Sequence, residues 1–200
     1  MELKEYFQIL KMEIKIFVAI MAVVFLLAGG YFIFRPVVFD ASLTLNITRS
    51  GSQNTNSYKY DDFYRMQADE KFAETIVEWL KSPRIEEDIY KNAGVDVSGY
   101  SLKRLSTGIT AEQRSSQVVI ANFSALDQKK VQNIAYSVSK IISQNIRSLN
   151  SDQKESSWFE ITSGEPVIRV REINPITILA IFFGGIFLAF FGALFKHYLR

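Results

Sequence analysis

Charge-free apolar residues run from Ile16 to Phe34 and again from Ile176 to Phe195, and between these runs the pattern is that of a water-soluble domain. Each run has about the 20 residues that a helix rising ~1.5 Å per residue needs to cross a hydrocarbon layer of roughly 30 Å. The pattern therefore predicts spans at 16–34 and 176–195, a leader at 1–15, a single domain at 35–175 and a tail at 196–200. Two spans return both termini to one side of the membrane.

Charge at the flanks predicts which side. Lys4, Lys11 and Lys15 precede the first span and Lys196 and Arg200 follow the second, and short basic flanks stay cytoplasmic, whereas a long intervening segment translocates regardless of its charge. Arg35, at the exit of the first span, can snorkel to the headgroups. A cleaved secretory signal is disfavoured, because the apolar run exceeds the usual 7–15 residues and the leader carries Glu2, Glu5 and Glu13. Leu3, Phe7, Leu10 and Ile14 share one helical face, so the leader reads as an amphipathic helix at the inner surface.

Within 35–175 the periodicities predict strand, helix, helix, strand, strand, helix, strand. Ala41–Thr48 alternates with period two. Ser50–Ser57 is a polar, Gly- and Asn-containing loop. Phe63, Met66, Ala73, Ile76, Val77 and Leu80 recur at helical spacing after Asp61, and a second helix starts at Ser82-Pro83 and stops at Gly94. Thr107–Glu112 and Gln117–Ser124 form an expected hairpin. Asp127 opens the longest helix outside the membrane, with Val131, Ile134, Val138, Ile141, Ile142 and Leu149 as its apolar stripe. A last strand pair, Trp158–Thr162 and Val167–Arg171, is expected to turn at Gly164-Glu165-Pro166 and lead through Asn174-Pro175 into the second span. The fold class that follows is α+β: two transmembrane helices flanking one extracytoplasmic domain, with a mixed or antiparallel sheet near the membrane and one longer helix.

Charge and composition narrow the chemistry. Residues 36–175 hold 17 Lys and Arg against 18 Asp and Glu, so the domain lacks the basic field of a nucleic-acid binder. With no cysteine, it depends on its own core. The single histidine, His197, lies in the tail, which excludes a His-based triad or a His-containing metal cluster from the domain. Asp61-Asp62 and Glu86-Glu87-Asp88 stand at helix starts, where the macrodipole favours acids. Tyr58, Tyr60, Tyr64, Trp79, Tyr90 and Tyr100 suit a core or an interface better than a sugar platform. The sequons at Asn46 and Asn122 fall inside expected strands, not surface loops. No catalytic residue, cofactor or metal site is expected, and the reading is of a protein that is not an enzyme.

In the second span Gly185, Ala189 and Ala193 recur every four residues, with Ala180 and Gly184 repeating the spacing beside them. A face of small residues lets helices approach closely in lipid, so these five positions are the expected packing or partner face.

The phrases Asp61-Asp62-Phe63-Tyr64-Arg65-Met66-Gln67-Ala68, Ala73-Glu74-Thr75-Ile76-Val77-Glu78-Trp79-Leu80-Lys81-Ser82-Pro83 and Ile89-Tyr90-Lys91-Asn92-Ala93-Gly94-Val95, with the order of elements, resemble the chain-length-determinant (Wzz) or polysaccharide co-polymerase family. The resemblance runs from the first span to the second. It implies an α/β base next to the membrane, side-by-side homo-oligomers, and control of how long a surface polysaccharide grows before its polymerase releases it. The family's Pro-rich entry to the second span is reduced here to Pro175, with Pro166 upstream, and its long helical protrusion is shortened to the helix around Asp127–Asn150. No P-loop of the Gly-x-x-x-x-Gly-Lys-Ser/Thr type is present, so a tyrosine kinase of the kind some members carry would be a separate cytoplasmic partner meeting the leader or tail.

The function implied is a non-catalytic oligomeric scaffold in a bacterial inner membrane, with the membrane, further copies of itself, a polysaccharide polymerase and the growing polymer as partners, and no nucleic acid. The stripe Val131–Leu149 is its expected oligomer or partner helix. A membrane-anchored receptor or adaptor that binds a ligand outside and signals to a cytoplasmic kinase is the competing class.

Overall fold

The computed structural model of this chain describes residues 3–49, 61–151 and 159–199, with side chains from Gln8 onward in the first stretch and from Met66 in the second. In chain order the elements are α1 (Leu3–Met12), α2 (Ile14–Phe34), β1 (Phe39–Thr48), α3 (Asp61–Leu80), α4 (Pro83–Asn92), α5 (Leu102–Leu105), β2 (Ile109–Ser115), β3 (Val118–Ala125), α6 (Gln128–Ser151), β4 (Glu160–Ser163), β5 (Val167–Val170) and α7 (Pro175–Leu199). They form two compact units, Met1–Pro36 with Glu172–Arg200, and Val37–Arg171. The loop at 50–57 and the start of the strand expected from Trp158 lie outside the described residues.

The first unit holds α1, α2 and α7. Both long helices are long and apolar enough to cross a membrane, and each extends slightly beyond its expected span because nothing breaks it sooner. α7 starts where Pro175 takes the first helical position and the Asn174 Oδ1 accepts the Ile176 N–H at 2.9 Å. α2 ends before Pro36, which has no N–H to continue the ladder.

The second unit is an antiparallel sheet with helices over one face. Its order is β2-β3-β1-β4, and β5 also pairs with β1. β1 sits at the centre because its inward positions Ala41, Leu43, Leu45 and Ile47 are all apolar and buried, and β3 matches them with Val119, Ala121 and Phe123. The opposite face carries Asp40, Ser42, Thr44 and Asn46, so period two alone sorts core from polar surface. β2 and β3 form the expected hairpin, with a bulge between Gln113 and Ser115.

Helix ends follow local chemistry. Pro83 opens α4, and Gly94, at φ 74°, closes it in a left-handed turn that lets the Val95 N–H reach the Tyr90 carbonyl at 2.9 Å. Asp127 caps α6 by accepting the Lys129 N–H at 2.9 Å. The short α5 is capped by the Ser101 Oγ, which accepts the Arg104 N–H at 3.2 Å.

Two expectations are corrected. β4 and β5 do not pair with each other: β4 lies against Leu45–Thr48 and β5 against Phe39–Ser42. The ten residues of β1 are long enough to hold both end to end, and Gly164-Glu165-Pro166 bridges them as a break in one edge strand, a place that tolerates a proline. The second correction concerns the stripe of α6. Val131, Ile134, Val138 and Ile142 are buried in the domain's core, with Ile146 continuing the same face, and Ile141 packs against that core. The buried residues cover the inward side of the sheet and are closed to any partner; of the expected stripe Ile141 is half-buried and Leu149 exposed.

Candidate functional site

Small residues set the packing of the helical unit. Gly185, Ala189 and Ala193 are buried on α7, and a Cβ added at Gly185 would meet Val24 Cγ1 at 3.0 Å and Met21 Sδ at 3.5 Å. At Gly192 an added Cβ would collide with Ile20 Cδ1. The expected face is thereby divided: Gly185, Ala189 and Ala193 are buried, with Gly185 against α2, whereas Ala180 and Gly184 remain exposed, with nothing within 4 Å of a Cβ at Gly184. Below this seam Lys196 Nζ lies 3.1 Å from the Glu13 carboxylate, at the junction of α1 and α2. His197 sits in the last turn of α7.

In the second unit the entry and exit strands are clamped. Arg171 Nε lies 2.9 Å from Asp40 Oδ2 and 3.1 Å from Oδ1. This paired hydrogen bonding raises the guanidinium's already high pKa. The expected membrane-entry prolines do not share this clamp: Pro166 is the break between β4 and β5, and Pro175 starts α7.

Beside the clamp lies a cavity of about 450 Å³ whose rim carries Arg104, Lys130 and Arg171 around Tyr90 and Tyr100. The Arg104 guanidinium stands 3.8 Å from the centroid of the Tyr100 ring, and Tyr90 meets Tyr100 edge-on at 6.1 Å. Behind its wall is a buried carboxylate. Glu86 has no exposed surface, and neither of its oxygens makes an aligned hydrogen bond. Burial pushes the carboxyl up to about 7, while the backbone of Ile109 and Gly108 and the Tyr90 hydroxyl lie close enough to pull the other way. The same burial, with the Glu86 charge next to it, drives the Tyr90 hydroxyl upward too. Gly108 is obligatory here, because a Cβ would strike both Glu86 Oε1 and the Tyr90 hydroxyl.

The opposite end of the domain is fastened by a second buried acid. Asp69 takes Arg49 Nε at 2.6 Å and Gln117 Nε2 at 2.9 Å, and Arg49 lies over Phe159, which stacks on Phe72 at 3.8 Å. This network ties β1 to α3 and satisfies its charges internally.

The acidic run on α4 therefore splits. Glu87 pairs with Lys91 at 2.6 Å and Asp88 is exposed, but Glu86 faces inward. Its signal was in the sequence: Glu86 stands three and four positions before Ile89 and Tyr90, on the buried side of the helix. Of the expected aromatics, Tyr90 is buried, Tyr100 and Trp79 pack against the core, and the side chains of Tyr58, Tyr60 and Tyr64 lie outside those described. The cluster of Arg104, Lys130 and Arg171 was not legible, because three separate elements bring it together. Among the described residues no group of three or more His, Cys, Asp or Glu is placed to hold a metal ion.

Residues 1–93 match the Wzz family model, that of the chain length determinant protein. The resemblance read from the sequence is borne out over α1, α2, β1, α3 and α4, including the Asp61–Ala68 and Ala73–Pro83 phrases. No curated protein matches the chain.

Proposed function

We propose that this chain is a non-catalytic, homo-oligomeric scaffold in a bacterial inner membrane that regulates the length of a surface polysaccharide alongside its polymerase. The observation that carries the reading is the match of residues 1–93 to the chain length determinant family. It is supported by two membrane-length apolar helices that precede and follow, in sequence, a domain with its own core. The basic flanks Lys4, Lys11, Lys15 and Lys196 favour cytoplasmic termini and an exported domain. With Gly185, Ala189 and Ala193 already buried, Ala180 and Gly184 are the small residues of the face left for a neighbouring helix.

Deleting the chain from its host and resolving the surface polymer on a gel tests the reading. The band distribution should lose its preferred length and regain it on complementation, and an unchanged distribution overturns the role. The scaffold is tested separately by native mass in mild detergent, where a species well above a dimer is expected and a concentration-independent monomer counts against it. A reporter active only outside the cytoplasm should give signal within Ser50–Ser57 and none after Arg200.

A further inference from the structure

Three cations meet at the cavity beside β1, and each arrives from a different element. Arg104 comes from α5, Lys130 from the first turn of α6 and Arg171 from the residue after β5. Two of them are already oriented. The Tyr100 ring holds one face of the Arg104 guanidinium, and Asp40 fixes Arg171 from the side. Orientation before binding matters because a rotamer fixed in advance is not lost again when a ligand arrives.

The acids around the cavity offset only Arg171, leaving the charges of Arg104 and Lys130. Asp40 is paired with Arg171. Asp127 is engaged in capping α6 and is not part of the lining. Glu86 is buried behind Gly108. The excess is positive, and the donors left on two guanidinium groups, with the ammonium of Lys130, suit an anionic group that offers several acceptor oxygens. The cavity is also too large for an inorganic anion alone, and Val38, Leu126 and Ile134 give it an apolar side.

We propose that this pocket binds the phosphoryl group of an organic phosphate, held by Arg104, Lys130 and Arg171, with the carbon-bearing part against Val38, Leu126 and Ile134. Two sources carry that chemistry: a soluble sugar phosphate, or the headgroup of an anionic lipid. The second arises because Val38 follows the last residue of α2 by four positions and Arg171 precedes the first residue of α7 by four. The site goes beyond the scaffold reading and does not depend on it, since binding is read on the purified chain and scaffolding on polymer length in cells.

The full chain, purified in a neutral detergent, is titrated calorimetrically with a hexose 1-phosphate and with the uncharged hexose. In parallel it is placed in nanodiscs of phosphatidylcholine with or without phosphatidylglycerol, and lipid retained on the protein is measured by native mass spectrometry. Binding in the first arm assigns a soluble source, and phosphatidylglycerol retention in the second assigns a lipid. In either arm Arg104→Gln and Lys130→Gln, both exposed positions, should each weaken binding about tenfold, and raising the salt should weaken it further. Unchanged melting temperatures show that the variants remain folded. The proposal is overturned if neither phosphate is bound, if the uncharged hexose binds as well as its phosphate, or if both variants bind like the parent.

Discussion

The helical unit and the sheet domain use the same apolar alphabet in opposite ways. In the domain Leu43, Leu45, Ile76 and Ile142 are essentially inaccessible, whereas in α2 and α7 Leu26, Ile33, Phe187 and Phe195 are exposed and the buried positions are Gly185, Ala189 and Ala193. Water explains the first arrangement, because burying a large aliphatic side chain removes apolar area from it. Lipid explains the second. Hydrocarbon solvates Leu and Phe as well as another helix does, so association rests on close approach, and close approach needs small residues. Large residues therefore hold one unit together, and missing side chains hold the other.

That contrast is broken most directly by truncating large residues in both units. Ile142→Ala or Leu43→Ala removes fully buried groups from the domain and should cost about 2–5 kcal/mol. Leu26→Ala, 76% exposed on α2, should leave the thermal stability of the purified protein in detergent nearly unchanged. Comparable losses for Ile142→Ala and Leu26→Ala would mean that the helical unit, too, is held by its large residues.

The next effect depends on pH and belongs to the domain alone. Glu86 has a carboxyl pKa near 7 in the folded chain against 4.5 ordinarily, so the folded state holds its proton where the unfolded state has lost it. Both forms are protonated below pH 4.5, and the penalty grows from there to pH 7 and then levels off. With each pKa unit worth about 1.4 kcal/mol, the folded protein should lose about 3 kcal/mol across that window. Glu86→Gln keeps the shape and removes the titration. It should be more stable than the parent at pH 8, equal to it near pH 4, and should flatten the slope between. A parent slope that survives the substitution would assign the pH dependence to another group.

Close approach in the helical unit is tested by filling it. Gly185→Leu drives new atoms into Val24 and Met21, and overpacking of this kind costs about 1–3 kcal/mol. The chain has no cysteine of its own, so a pair placed by Ile20→Cys and Gly192→Cys reports the separation of α2 and α7 by disulfide yield. The yield should fall with Gly185→Leu. It should hold with Gly184→Leu, where nothing lies within 4 Å. Equal losses would mean that the two small-residue rows are not distinct.

The same physical divide decides what the sequence could reveal. Both long helices, the period-two alternation of β1, the Pro83 start and Gly94 stop of α4, and the Asp127 cap of α6 are local signals, and each appears at its expected place. Pairing is not local. As neighbours in sequence β4 and β5 suggest a hairpin, but β1 offers each a longer partner than they offer each other. The α6 stripe was correctly seen as apolar. The structure covers it with the domain's own sheet, an outcome that an amphipathic helix does not announce, since another chain could cover the same face. The candidate site was least legible of all, since Arg104, Lys130 and Arg171 are ordinary surface cations until α5, α6 and the end of β5 converge.

The smallest expected effect lies at the ion pairs of the two units, which differ in exposure on one side only. Lys196 and Glu13 lie 3.1 Å apart with the Glu13 side chain 8% exposed, whereas Asp40 and Arg171 leave 43% and 53% of their side chains to solvent. An exposed pair gains little Coulomb energy over its hydrated parts, so Asp40→Asn should change the stability of the protein by less than about 1 kcal/mol. Lys196→Ala leaves a carboxylate enclosed without its partner, and removing one member of a buried pair costs more than the pair itself contributes. The ordering is the prediction: in the same detergent, Lys196→Ala should lower the melting temperature more than Asp40→Asn, and 0.5 M salt should narrow the Asp40→Asn difference while leaving most of the other. If the two substitutions have equal effects that salt removes together, Glu13 is solvated in the folded protein, and the junction of α1, α2 and α7 is open to water.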